Sequence, residues 1–288
     1  MKILITGAKG QLGQDLMAIY GDSPHFISQG TVPDVRGIDV DTLDITDLEA
    51  VREEFNRFKP EIVINSAAYT DVDGCETNQE TAYKVNAVGP ANLAIAAQEV
   101  GAGLLHVSTD YVFDGSATKP YLETDPVNPQ SIYGLTKLAG ELAVQTLAEK
   151  WFIARTAWLY GHGGNNFVKT IQKVAKEKGR LKVVNDQQGS PTFSKDLAEK
   201  IAEIVASGQF GLYHVTNSGQ CSWYDFAKEI VKLSGIEAEV TPCTTDEFPR
   251  PAKRPAYSVM VNHNLELRGI PAMRPWQEAL RAYLDIKS

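Results

Sequence analysis

Tyr133 and Lys137 stand four positions apart in the stretch YGLTK, a spacing that puts two side chains on one face of a helix. A free phenol titrates near ~10, too high for useful proton exchange at neutral pH, and an ammonium beside it favours the phenolate and lowers that value. The pair is thus a candidate proton-transfer device, although Tyr-x-x-x-Lys alone is common enough to decide nothing. Upstream, Thr109 closes the apolar run GLLHVST, where its hydroxyl is placed to donate to a carbonyl. At the chain start, GAKGQLG sets Gly7, Gly10 and Gly13 between the run KILIT and a helical pattern carried by Leu12, Leu16 and Ile19. Glycines in that context serve a tight turn, close approach of the backbone to a pyrophosphate, and close packing of helix on strand. The helix start adds free N–H groups and the positive end of its dipole. The spacing is G-x-x-G-x-x-G, not the G-x-G-x-x-G of ordinary dehydrogenases.

Asp39, at the expected end of a second strand (VRGID), is where a carboxylate would bind the adenosine ribose diol. A carboxylate there repels a 2′-phosphate, and Val40 supplies no compensating cation. The expectation leans to NADH over NADPH, with a solvated loop aspartate as the alternative reading.

These residues need a scaffold, and the first half of the chain supplies one. Apolar runs at 2–6, 61–65, 103–109 and 151–161 read as strands, and they alternate with helical patterns. The stretch from Pro24 to Asp39 is turn-rich. Thr46 and Glu49 have capping-box spacing ahead of a helix stopped at Pro60. The segment NQETAYKVNAVGPANLAIAAQEVGA reads as one long helix despite Pro90, and residues 131–150 as another. Alternation of this kind means an α/β fold with a doubly wound, Rossmann-type parallel sheet, which binds ligands at the carboxyl ends of its strands. Past residue 160 loops dominate, and a smaller substrate lobe is expected. The division reads as residues 1–162 for the dinucleotide domain, with returns at about 190–217 and 248–262. Residues of about 163–189, 218–247 and 263–288 then form the lobe. FGLYHVTN looks like one more strand of the sheet.

Composition excludes several classes. A net charge of -8 argues against a surface built for nucleic acid phosphates. Cys75, Cys221 and Cys243 make no disulfide framework or metal knuckle, and the five histidines lack ligand spacing. A strand beginning at Lys2 leaves no room for a signal peptide, and no apolar run approaches the ~20 residues of a membrane span. The expectation is a cytoplasmic protein with no membrane and no nucleic acid partner.

With the glycines, Thr109, Tyr133 and Lys137 in hand, the chain resembles the extended short-chain dehydrogenase/reductase family. Within it, the likeness is to the branch that reduces dTDP-linked 4-keto-6-deoxy sugars. It is carried by GAKGQLGQDL, LDITD, VINSAAYTDVDGCE, VSTDYVFDG, YGLTKLAGE, RTAWLYG and GSPTFSKDLA, and continues through YHVTNSGQCSWYDFA and RPAYS. The resemblance implies reduction of the 4-keto group of dTDP-4-dehydro-L-rhamnose to dTDP-L-rhamnose, with hydride from NADH or NADPH and a proton from Tyr133. It implies that Lys137 lowers the Tyr133 pKa and binds the nicotinamide ribose, and that Thr109 orients the carbonyl.

By motif position, Gln11 and Leu12 lie beside the cofactor, Asp44 and Ile45 by the adenine, and Ala67, Ala68 and Tyr69 along the dinucleotide cleft. Asn86 supports the site or merely packs. Asp110, Tyr111 and Trp158 face the substrate, Trp158 fitting a core position equally well. Tyr111 replaces the glutamate that nucleotide-sugar dehydratases need, so elimination is not expected. Arg250, Lys253 and Arg254 form the best cationic cluster for a diphosphate, if they are not simply a solvated loop, and Asn165 and Asn166 are neutral donors. No catalytic metal is expected from the residues, although the resemblance associates magnesium with a subunit contact in some members of the family; the partners expected are the nucleotide-sugar substrate and a second copy in a homodimer. The competing readings are a non-catalytic NADP-binding regulatory subunit and a nucleotide-sugar epimerase.

Overall fold

The computed structural model describes residues 1–22 and 33–285. Part of the turn-rich stretch expected from Pro24 onward, residues 24–32, lies outside the described residues. Six strands form one all-parallel sheet: β1 (Lys2–Thr6), β2 (Asp34–Ile38), β3 (Ile62–Asn65), β4 (Gly103–Thr109), β5 (Trp151–Thr156) and β10 (Gly211–His214). Their order is β10-β5-β4-β3-β1-β2, with every neighbouring pair parallel. The chain runs from β1 outward to β2, then crosses back to place β3 on the other side of β1. That reversal opens a crevice above the carboxyl ends of β1 and β3. Strands such as Ile3–Ile5 and Val63–Ile64 are apolar throughout because helices cover both faces.

One face carries α1 (Gln11–Asp22) and α8 (Ser194–Ser207), whose Leu12, Leu16, Leu197 and Ile201 pack on Ile3, Ile5 and Phe152. The other face carries α2 (Leu48–Phe58), α5 (Gly89–Val100) and α6 (Ile132–Leu147), which bury Val51, Phe55, Leu93 and Val144 over Leu4, Val63 and Leu104. The α2 cap is Asp47, whose Oδ1 accepts the Glu49 and Ala50 N–H groups, not Thr46; the Thr46 N–H is itself held by Asp44. Pro60 does follow the helix end, at Lys59 in the left-handed region.

Two expected elements are interrupted. The long helix around Pro90 is three pieces: α4 (Gln79–Tyr83), a π turn (Lys84–Val88) and α5. Pro90 has no N–H to give the Asn86 carbonyl, so the helix widens by one residue there and Gly89 N–H reaches Lys84 O instead. The freed Asn86 carbonyl faces Gly140 on α6 so closely that a Cβ would sit 2.3 Å from it. The expected strand 151–161 also breaks: β5 ends at Thr156, and β6 (Leu159–Tyr160) pairs instead with β9 (Thr192–Phe193). The break falls at Trp158, which has a positive φ of 48°.

Two short strands come next, β7 (Arg180–Val184) and β8 (Gln188–Gly189). A separate apolar cluster gathers α7 (Phe167–Lys178), α9 (Trp223–Leu233) and α11 (Trp276–Asp285) around Ile171, Phe226, Ile230 and Leu280. This is the material expected for the second lobe. Residues 263–273 were expected with it, yet Leu265, Ile270 and Met273 pack in the sheet's own core. The reason is α10 (His263–Leu267), which lies against β10 at the sheet edge; Asn264 donates to Leu212 O at 2.8 Å. No helix among the described residues is long and apolar enough to cross a membrane.

Candidate active site

The glycine turn is built as the spacing implied, with the roles sharpened. Gly7 has φ 68°, and a Cβ there would lie 2.7 Å from Ala67 N. Gly13 packs its α-carbon on the turn itself, where a Cβ would sit 2.1 Å from Gly7 O. Gly13→Ala should therefore destabilise the fold by roughly 1–3 kcal/mol through overpacking, read as a lowered urea midpoint. Gly10 is less confined and exposed, so the turn's outer face and the start of α1 stay open. Bare backbone beside a helix N-terminus fits a pyrophosphate.

Asp39 follows β2 directly, and its two carboxylate oxygens accept Lys9 N–H and Val40 N–H, each at 2.9 Å. Lys9 Nζ pairs with Asp41. Ile45 is buried beneath Gly89, and Asp44 is exposed. The loop of Ala67, Ala68 and Tyr69 is clamped by Asn86, whose Oδ1 accepts Tyr69 N–H at 2.8 Å and whose Nδ2 donates to Tyr69 O at 3.1 Å. Asn86 is fully buried in the π turn, so it acts on the cleft through this loop.

Tyr133 and Lys137 share a face of α6, and the face lies along β4. Four helical residues rise about 6 Å, close to the roughly 6.6 Å of two strand residues, so the pair is matched to positions two apart on the strand. The Tyr133 phenol meets the Thr109 hydroxyl, while Lys137 Nζ donates to Val107 O at 2.6 Å and lies 3.4 Å from His106 Nε2. Burial pushes the Tyr133 phenol above its ordinary value, with the Thr109 hydrogen bond partly offsetting it. Lys137 was expected to lower the Tyr133 pKa. In this geometry its ammonium is turned to the Val107 carbonyl instead, and burial brings its own pKa down to about 8.

Thr109 also begins a 3₁₀ turn, Asp110–Val112, accepting Tyr111 N–H at 3.2 Å and donating to Asp110 Oδ1 at 3.0 Å. Asp110 is buried, which raises its pKa to about 6. The Tyr111 ring meets Tyr133 edge-on at 5.4 Å.

The cationic loop reaches the same place. Arg254 Nη2 lies 3.0 Å from Asp73 Oδ2 and the guanidinium touches the Tyr111 hydroxyl, while its Nη1 is buried with no partner. Arg250 is more exposed and 3.8 Å from Asp73. Lys253 is 3.4 Å from Gln130. Asp73, which the sequence reading missed, anchors this loop; its place in α3 (Val72–Thr77) gives no such signal. Asn166 is placed differently from its expected role as a substrate donor. It caps α7, and its amide donates to Gln11 Oε1 at 3.0 Å and Gly161 O at 2.7 Å, beside the glycine turn. Trp158 is half-buried, stacked on Trp223 at 3.5 Å, with Gly189 leaving no space for a Cβ beneath it. It links the second lobe's cluster to the one holding Val112, Phe113 and Tyr121. Among the described residues no group of three His, Cys, Asp or Glu gathers as a metal site.

Known proteins are similar to this chain over its whole length. A solved dTDP-4-dehydrorhamnose reductase from Clostridium acetobutylicum is 52% identical, with a TM-score of 0.94 over 100% of this chain and 99% of its own. A dTDP-4-dehydrorhamnose reductase of Bacillus anthracis, solved with NADP, is 41% identical with a TM-score of 0.94 over 100% of this chain and 99% of its own. The spore coat polysaccharide biosynthesis protein SpsK of Bacillus subtilis is 43% identical over 100% of this chain and 98% of its own. The family model of the RmlD substrate binding domain matches residues 1–288, and the chain belongs to that family.

Proposed function

We propose that the protein is an NAD(P)H-dependent reductase that converts the 4-keto group of dTDP-4-dehydro-L-rhamnose to the alcohol of dTDP-L-rhamnose. The observation that carries this reading is the meeting of the Tyr133 and Thr109 hydroxyls at the end of β4, with Lys137 one helical turn along. Relatives that are named dTDP-4-dehydrorhamnose reductase and cover between 96% and 100% of the chain support the substrate. The dinucleotide, when bound, supplies the hydride. Every other element of the chemistry belongs to the chain.

The glycine turn and the start of α1 receive the pyrophosphate. With substrate bound, the Thr109 hydroxyl leaves Asp110 Oδ1 and donates to the sugar's 4-oxygen, which orients it. As that oxygen gains charge, the Tyr133 O–H bond breaks and its proton goes to the oxygen. A phenol kept above its ordinary pKa is fully protonated at neutral pH, which suits a proton donor. Lys137 presents positive charge to the developing phenolate side of the site. Arg254, with a buried and unpartnered Nη1, is the cation placed to take a diphosphate oxygen. A regulatory dinucleotide-binding role would not need the Thr109, Tyr133 and Lys137 set, and Tyr111 in place of a carboxylate disfavours elimination.

The test is to mix the protein with enzymatically generated dTDP-4-dehydro-L-rhamnose and follow oxidation of NADH and NADPH separately. Oxidation with dTDP-rhamnose as product supports the reading; dinucleotide binding without oxidation sinks it. For the cofactor, NADH is the proposed choice, because a 2′-phosphate at the end of β2 would meet Asp39 and Asp41 with Lys9 as the near cation. Asp39→Ala should weaken NADH by about tenfold, or about 1.4 kcal/mol, and raise the relative affinity for NADPH. Unchanged preference in a fluorescence titration would remove Asp39 from that role.

A further inference from the structure

Beneath Tyr133 and Lys137, three polar side chains of no assigned role, Thr6, Asn65 and His106, are buried in a line that ends on Lys137, and all four are between 0% and 2% exposed. Their hydrogen bonds have only one consistent direction. Ala67 N–H lies 3.1 Å from Asn65 Oδ1, and a backbone N–H can only donate, so the amide oxygen is the atom that faces it. Thr6 Oγ1 donates to the same oxygen at 2.6 Å. Asn65 Nδ2 is therefore the atom 2.9 Å from His106 Nδ1, and an amide nitrogen is likewise only a donor. His106 Nδ1 must accept. The ring is fully buried and burial holds it neutral, so its single proton sits on Nε2, and Nε2 is the atom 3.4 Å from Lys137 Nζ.

An N–H facing an ammonium offers it nothing to donate to. Two consequences follow. The ammonium protons are turned away from His106, one of them to Val107 O. Once Lys137 gives up a proton, its freed lone pair can accept the Nε2–H, so the imidazole favours the neutral amine.

We propose that His106 is a positioning residue of this site: Asn65 holds it as the Nε2–H tautomer, and in that form it aims the Lys137 protons toward the cleft and eases release of one of them. In that release the Nζ–H bond breaks, the proton leaves into the cleft, and the amine nitrogen becomes the acceptor of the His106 Nε2–H. The inference rests on the reductase reading for its meaning, but not for its test.

Other titratable groups on elements packed against α6 do not produce this effect. Glu141, on the helix itself, works the other way, raising the Lys137 pKa, and its carboxylate is held by Arg155 of β5. Tyr133, Asp110 and Tyr111 cluster at Thr109, Glu76 Oε1 accepts Ile132 N–H, Cys75 is buried in α3, and the exposed Glu80 and Lys84 pair with each other.

The tautomer can be read directly in the protein without substrate. Long-range ¹H–¹⁵N spectra, with His106 assigned through His106→Gln, should show Nδ1 unprotonated and Nε2 protonated. The Lys137 ε-methylene, assigned through Lys137→Arg, should titrate near pH 8. In Asn65→Asp the carboxylate accepts from Nδ1, the proton moves there, and Nε2 becomes an acceptor for the ammonium. The Lys137 midpoint should then rise by about one unit or more. A wild-type ring protonated on Nδ1 overturns the proposal, and so does an Asn65→Asp protein in which both the tautomer and the Lys137 midpoint are unchanged. If Asn65→Asp does not fold, the wild-type tautomer alone decides. Failure to reduce a keto sugar would defeat the functional reading and leave this measurement intact.

Discussion

Tyr133→Phe is expected to lower kcat by roughly 10²–10⁴-fold while leaving dinucleotide affinity within about twofold. The substitution deletes one oxygen and keeps the ring that packs edge-on against Tyr111 at 5.4 Å. The oxygen removed is the one that meets Thr109 Oγ1, whereas Asp110 accepts from the Thr109 hydroxyl and Lys137 donates to Val107 O one helical turn along. The glycine turn, the Asn86-clamped loop and Asp39 are untouched, so binding should persist. Steady-state kinetics with a fluorescence titration of the dinucleotide separates the two quantities. Parallel loss of both would make Tyr133 a structural residue and remove the acid from the mechanism.

The second large effect concerns stability. Glu141 accepts from Arg155 Nε at 2.9 Å and Nη2 at 2.7 Å, and the two residues are 1% and 3% exposed. The guanidinium also lies over the Phe113 ring at 5.2 Å, and its Nη1 has no partner. Glu141→Gln would leave that charge buried and uncompensated, at a cost of about 3–5 kcal/mol. Urea unfolding should show the midpoint falling with the slope unchanged. Glu141→Leu combined with Arg155→Leu should recover most of the loss, because the penalty comes from the orphaned charge and not from the missing bond. Without its neighbouring carboxylate Lys137 should also titrate lower, since Glu141 raises its pKa. A midpoint shift equal to that of an exposed control such as Glu80→Gln would show that the pair is solvated in solution.

Much of the architecture is legible in one dimension because it is local. The runs KILIT, EIVIN and GLLHVST are apolar because both faces of their sheet are covered, and the glycines fall where the first of them turns into a helix. The strand FGLYHVTN is visible for the same reason and joins the sheet edge beside β5. The reading fails where a local preference is overruled by packing or by a missing donor. Thr46 has capping-box spacing, but Asp47 is better placed to accept two N–H groups. Pro90 looks tolerable within a helix, yet the lost N–H opens a π turn that seats Asn86 under the cleft loop. The strand through WFIARTAWLYG is continuous in pattern, but the chain bends at Trp158 to leave the sheet.

The sequence by itself determined the residue types of the chemistry and their order along the chain: the glycine turn, a hydroxyl at a strand end, and a phenol and an ammonium one helical turn apart. Periodicity suffices for that, since it states which side chains share a face. Only the tertiary structure decided what each of them faces. It turned Lys137 to Val107 and His106, brought Arg254 onto Tyr111 and Asp73, and tied Asn166 to Gln11 instead of leaving it for the substrate. Those contacts join residues far apart in the chain, and their directions depend on which donor and acceptor remain unpaired once the sheet has formed. No periodicity in the sequence encodes that competition.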